Sequence, residues 1–122
     1  MRVRHKIWLE DESGLLFGQG RLELLKEVAR LGSLSAAAKT LEMSYRAAWG
    51  RIRASEERLG LSLVERLPGG RGLRLTKEGR DLVERFDRFE AEAGAAIERL
   101  SREILGGKVG SSSGPGEAEP DR

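Results

Sequence analysis

Residues 33–49 read SLSAAAKTLEMSYRAAW, and this stretch decides the fold. It holds two helix starts separated by one short turn. Ser35 can accept an orphan backbone N–H at a helix start, and Ala36–Leu41 behind it reads as a short alanine-rich helix that packs closely. Glu42 and Met43 form a turn. Ser44 then opens a longer helix, expected to run to about Leu59 and stop at Gly60. On that helix Ala48, Ile52 and Leu59 share one face, and Tyr45, Arg46, Trp49 and Arg53 lie on the other.

Upstream, Lys6–Glu10 and Leu15–Phe17 are short apolar runs around the turn cluster Asp11–Gly14, which predicts a β-hairpin. From Arg21 the period becomes helical, with Leu22, Leu25, Val28 and Ala29 on one face and Gly32 as the stop. Downstream, Leu61–Leu67 and Leu73–Leu75 read as strands around the glycine-rich turn Pro68–Gly72. Thr76 caps a last helix expected over Lys77–Leu105, on which Leu82, Phe86, Phe89, Ala93, Ala96 and Leu100 recur at spacings of four and three, widened by Ile97. The predicted fold class is mainly α with small β: a winged helix-turn-helix with an N-terminal β-hairpin and a long C-terminal dimerisation helix. The predicted organisation is a hairpin over residues 1–20, the winged helix-turn-helix over 21–80, the dimerisation helix over 77–105 and a disordered tail over 106–122, which has too little apolar surface to offset its ordering entropy.

The 122 residues carry 22 basic and 20 acidic side chains, no cysteine and a single histidine. This composition excludes a disulfide framework, a cysteine zinc site and a thiol nucleophile, and makes metal or triad chemistry a poor fit. No cofactor and no metal is expected. No apolar run reaches the ~18–20 residues that span a bilayer, and no signal peptide opens the chain, so a cytoplasmic protein without a membrane partner is expected. The charge is segregated: Ser44–Arg80 holds nine basic against four acidic residues, a net +5, and the remainder is −3. A concentrated positive segment is the footprint of a polyanion binder.

The strings Gly32–Lys39, Met43–Trp49, Leu63–Arg66 and Gly69–Gly72 with Leu75 and Thr76 resemble the N-terminal DNA-binding domain of the ModE-type molybdate-responsive regulators, a relative of the LysR-type helix-turn-helix. The resemblance implies sequence-specific operator binding as a homodimer joined largely by the last helix. ModE proteins continue into oxyanion-binding domains and this chain stops where those would begin, so the resemblance implies no molybdate site. Glu42 stands where these families often have a turn-tolerant residue. A left-handed conformation there would cost about 1–2 kcal/mol, and a regular turn nothing.

In such a domain the first turn of the second helix lies nearest base edges in the major groove, and the wing tip reaches phosphates or the minor groove. The candidate DNA-binding residues are therefore Ser33, Ser35, Ser44, Tyr45, Arg46, Trp49, Arg53 and Arg71. Arg66 and Arg74 read as solvated strand residues, Trp8 as packing and His5 as a surface residue. The candidate dimer interface is Leu82, Phe86, Phe89, Ala93, Ile97 and Leu100, with Ala93, Gly94 and Ala96 small enough for close approach. The expected partners are a pseudo-palindromic duplex DNA operator and a second copy of the chain; a separate effector-sensing partner is left open. Two other readings compete. A winged-helix protein adaptor would more often carry an acidic or apolar first turn. A nucleotide-binding enzyme would need more than Gly69-Gly-Arg-Gly72 as a phosphate loop, because no Gly-Lys-Ser/Thr follows.

Overall fold

The computed structural model describes residues 2–106 and 110–113. In chain order it contains β1 (Arg2–His5), β2 (Trp8–Asp11), β3 (Gly14–Gly18), α1 (Gln19–Leu31), α2 (Leu34–Thr40), α3 (Tyr45–Leu59), β4 (Val64–Arg66), β5 (Leu73–Leu75), α4 (Lys77–Leu105) and β6 (Gly110–Ser113), with one 3₁₀ turn at Pro68–Gly70. The mainly helical winged architecture expected from the sequence is the one found. Two compact units are present among the described residues, Trp8–Glu84 and a second that joins the N-terminal residues up to Ile7 with those from Arg85 onward.

The unit Trp8–Glu84 is built on three helices. Leu22, Leu24, Leu25 and Val28 of α1, Leu34, Ala37 and Ala38 of α2, and Ala48 and Ile52 of α3 are buried, together with Leu15 and Phe17 of β3 and Leu63, Val64, Leu73 and Leu75 of the wing. Each large aliphatic side chain removed from water contributes about 1.5–3 kcal/mol. The hairpin β2–β3 is antiparallel with Asp11 opposite Gly14. Its turn is closed by Asp11, whose Oδ1 accepts from the Ser13 N–H at 2.8 Å and the Ser13 hydroxyl at 2.6 Å. Those two bonds hold the Asp11 carboxyl below the usual carboxylate range, the hydroxyl contributing most.

The helix starts depart from the sequence reading in one place. Ser33, not Ser35, caps α2: its hydroxyl accepts from the Ala36 N–H at 3.1 Å, and Leu34 is buried behind it. Either serine can cap; burying Leu34 at the first helical position selects Ser33. Ser44 caps α3 as expected, accepting from the Ala47 N–H at 3.0 Å. Between the helices Met43 N–H donates to Ala38 O at 2.9 Å and Glu42 N–H to Lys39 O at 3.1 Å, which is a Schellman closure. That closure requires the residue after the cap to be left-handed, and Glu42 has φ 57°.

The wing is a short antiparallel pair with Val64 opposite Leu75 and Arg66 opposite Leu73. The sequence reading made the first strand too long: Leu61–Leu63 lies outside it, because the Leu63 N–H is taken by a side chain of α3. The wing docks on the C-terminus of α1 through Leu73 N–H to Gly32 O at 3.0 Å. Gly72, at φ +125°, lies so close that a Cβ there would overlap the Gly32 carbonyl oxygen. Gly79 in the first turn of α4 meets the Leu63 carbonyl oxygen in the same way.

The second unit contains β1, β6 and α4 from Arg85 onward. β1 pairs with β6 in parallel, Arg2 opposite Gly110 and His5 opposite Ser113. β6 falls within residues 106–122, where the composition predicts a disordered tail; strand pairing uses backbone N–H and C=O groups and needs little apolar side chain. The remainder of that expected tail, 107–109 and 114–122, lies outside the described residues. The surface placement expected for His5 is corrected. Both of its ring nitrogens are buried without a hydrogen-bond partner among the described residues, and its Cε1 would lie 3.6 Å from a Cβ at Gly94. The space above Gly94 is thus occupied from within the chain.

Replacing Glu42 with glycine removes the left-handed cost and adds unfolded-state entropy, for a net gain of about 0.5–1 kcal/mol. Gly79→Ala, by contrast, is expected to lose about 1–3 kcal/mol through overpacking against backbone. Urea denaturation of both variants checks the pair; a destabilised Glu42→Gly protein would contradict the strain assigned to that turn.

Candidate nucleic-acid interface

The exposed front of α3 is assembled by its buried back. Ser55 is fully buried, and its hydroxyl donates to Leu16 O at 2.6 Å. Arg58 donates to Leu15 O at 2.7 Å, so β3 buttresses the second half of the helix. Glu56 is 9% exposed. Its Oε2 accepts from Leu63 N–H at 2.8 Å and its Oε1 from Arg53 at 2.9 Å. A single carboxylate therefore ties the end of α3 to the start of the wing and holds one arginine of the front face.

The front presents a cluster. Tyr45, in the first turn, is 48% exposed and stands edge-on to Trp49, with ring centroids 6.4 Å apart and planes at 87°. The Arg53 guanidinium lies 4.6 Å from the Trp49 ring centroid and the Arg66 guanidinium, from β4, 5.2 Å from it. A hydrogen bond from Trp49, then the hydrogen bond and charge of Arg66, hold the Tyr45 phenol below the ordinary tyrosine range. Ser33, Ser35, Tyr45, Trp49, Arg66 and Gly70 line a concavity of about 140 Å³ between α2, α3 and the wing.

The sequence-predicted residues are distributed as follows. Tyr45, Trp49 and Arg53 come together as one group, and Ser33 and Ser35 face the same concavity. Arg46 and Ser44 are exposed at the start of α3, and Arg71 is exposed at the wing tip. Trp49 is half-buried rather than fully presented, which follows from the two guanidinium groups against it. Arg53 is partly committed to Glu56. The sequence reading missed two members. Glu56 had a signal, since it falls four residues after Ile52 on the buried face. Arg66 had none, because only the docking of the wing brings it to Trp49.

On α4, Phe89 is 53% and Leu100 45% exposed, with Ile104 and Leu105 more so. Ala93 and Ile97 are half-buried, as is Leu82. Phe86 departs from the partner-facing set: at 3% exposed it is already covered within the chain. Phe89 and Ala93 line a shallow groove with Arg85, Arg88 and Glu92. Among the described residues no group of three or more His, Asp or Glu is placed to hold a metal ion, and no helix is long and apolar enough to cross a membrane.

Residues 20–80 match the model of the bacterial regulatory helix-turn-helix proteins of the lysR family, a regulatory family and not an enzyme family. The chain is 36% identical over 114 residues to a molybdenum transport protein ModE from Azotobacter vinelandii, covering 88% of this chain and 42% of that protein. It is 39% identical over 90 residues to the DNA-binding transcriptional dual regulator ModE of Escherichia coli (strain K12), covering 71% of this chain and 34% of that one. The chain thus spans well under half the length of these curated relatives. Among solved structures, the CbnR DNA-binding domain in complex with DNA is similar at a TM-score of 0.56 and 34% identity, over 70% of this chain and 95% of that one.

Truncating Glu56 to alanine strands the buried Leu63 N–H and frees Arg53, which is expected to cost about 2–4 kcal/mol. Glu56→Gln keeps a carbonyl acceptor and is expected to lose less. Chemical denaturation orders the two; equal stability of Glu56→Ala and the unmutated protein would remove Glu56 from the framework.

Proposed function

The chain belongs to the lysR family of bacterial regulatory helix-turn-helix proteins, and from that premise we propose that it is a sequence-specific DNA-binding transcriptional regulator of the ModE type that acts as a homodimer. The observation that carries this reading is the exposed, cationic and aromatic front of α3 beside the wing. α3 enters the major groove by its first turn. Tyr45 and Arg46 meet base edges there, arginine having the bidentate geometry for guanine. Ser33, Ser35 and Ser44 contact the backbone: the Ser33 and Ser44 hydroxyls accept a capping N–H and keep an O–H to give. Arg53, half committed to Glu56, offers its remaining donors to phosphate. Arg71 at the wing tip reaches phosphate or the minor groove.

The homodimer is proposed to form along α4. A 29-residue helix is about 43 Å long. Phe89, Ala93, Ile97 and Leu100 supply its partner face, with Leu82 and the already buried Phe86 continuing the seam toward the helix start. A twofold dimer places two α3 helices on successive half-sites, so the operator is a pseudo-palindrome. A basic aromatic front counts against the protein-adaptor alternative. Molybdate is not assigned to these residues.

Binding titrations on a duplex selected from a randomised library and on a shuffled duplex test the DNA reading. Arg46→Ala is expected to cost about 1–3 kcal/mol on the selected duplex and to relax preference at one position, and Arg71→Ala to weaken both duplexes evenly. For a dimer neutralising six to ten phosphates, affinity should fall about 10³–10⁵-fold between 50 and 200 mM salt. A flat salt response, or unchanged discrimination by Arg46→Ala, would count against the reading.

Sedimentation tests the assembly. The unmutated protein is expected to be dimeric at about 10 μM, which asks for a dimerisation free energy of about −7 kcal/mol or better. Phe89→Glu with Leu100→Glu should yield folded monomers that lose most specific affinity. An unmutated protein that sediments as a monomer would overturn the dimer and the palindrome together.

A further inference from the structure

The wing carries two exposed arginines on its strands, and they differ. Arg74 is paired across the ladder with Glu65 at 2.8 Å. Arg66 has no acidic partner among the described residues; its guanidinium lies 5.2 Å from the Trp49 ring centroid and beside Tyr45. Two guanidinium groups, Arg53 and Arg66, thus share one indole on an exposed face. Mutual repulsion would drive them apart, but the ring's negative face attracts both and Glu56 neutralises Arg53.

We infer that Arg66 is a positioning residue for DNA recognition, fixing Trp49 and through it Tyr45 in one orientation and joining the first wing strand to the recognition helix. The inference rests on the DNA-binding reading above. Trp49 follows Tyr45 by one helical turn, so the rotamer of one ring limits the other. Without Arg66 the indole keeps Tyr45 and Arg53 of its own helix and loses the wing's guanidinium over its ring. Ordering two aromatic side chains on binding would then subtract from affinity for the correct sequence, where their orientation matters, and not from affinity for random sequence. Arg66 therefore acts through Trp49 and not as a phosphate counterion. Lysine would keep the charge but lose the planar group that stacks on the ring.

The experiment uses the full chain in a Trp8→Phe background, which leaves Trp49 as the sole tryptophan. Arg66→Ala, Arg66→Lys, Trp49→Leu and the double variant Arg66→Ala/Trp49→Leu are compared. In the free protein, Arg66→Ala is expected to change the near-ultraviolet circular dichroism and emission of Trp49. On DNA, Arg66→Ala should weaken the selected duplex about ten- to hundredfold and the shuffled duplex less than about threefold, with the salt slope unchanged. Arg66→Lys should restore little. In the Trp49→Leu protein, Arg66→Ala should add no further loss. Equal weakening of both duplexes, with a salt slope smaller by about one and rescue by lysine, would make Arg66 a phosphate contact and overturn the inference. Multiplicative effects of Arg66→Ala and Trp49→Leu, or unchanged Trp49 spectra, would overturn it as well. An unmutated protein that binds both duplexes alike would overturn the DNA reading itself and the inference with it. That result is seen before any variant is compared.

Discussion

One buried carboxylate organises the face that matters. Glu56 accepts the Leu63 N–H with one oxygen and Arg53 with the other. Burying a carboxylate is costly unless its oxygens are filled, and here both are. The bond to Leu63 sets the path by which the chain leaves α3. Leu63 then becomes a platform: its carbonyl accepts the Thr76 N–H at 2.9 Å, and Gly79 packs against it. The Thr76 hydroxyl completes the knot, donating to Ser62 O at 2.6 Å and accepting the Gly79 N–H at 2.9 Å. The end of α3, the root of the wing and the start of α4 thus meet at Ser62 and Leu63.

A second junction fixes the wing from its other side. Gly72 and Leu73 lie against the Gly32 carbonyl at the end of α1. With its first strand tied to α3 and its second to α1, the wing has little freedom at its base, while its tip at Pro68–Arg71 is exposed. That division suits a recognition surface in which the stem holds Arg66 against Trp49 and the tip adapts to a backbone. The left-handed Glu42 is the strain the helix pair tolerates to bring α2 and α3 to their angle; the Schellman bonds and the buried Ala37, Ala38 and Ala48 hold it there.

The long helix answers a different requirement. Its apolar stripe runs along most of its length, and among the described residues Phe89, Leu100, Ile104 and Leu105 are exposed. The small residues within the stripe are not all alike. Ala93 lines an open groove, whereas Gly94 accommodates the His5 ring from the same unit.

Much of this was legible in the sequence because it is local. Ser44 and Gly60 bound α3 where they were read, and α4 has the Lys77–Leu105 limits that its period implies. Caps and helical periods act within four residues, and a linear reading captures them. The basic aromatic front of α3 was visible for the same reason. What only the tertiary structure decided depends on partners distant in sequence. Two serines two residues apart were equally good caps until the burial of Leu34 chose Ser33. Seventeen residues separate Arg66 from Trp49, seven separate Glu56 from Leu63, and more than a hundred separate β1 from β6. No periodicity encodes such meetings. They follow from how the wing docks and where the chain returns.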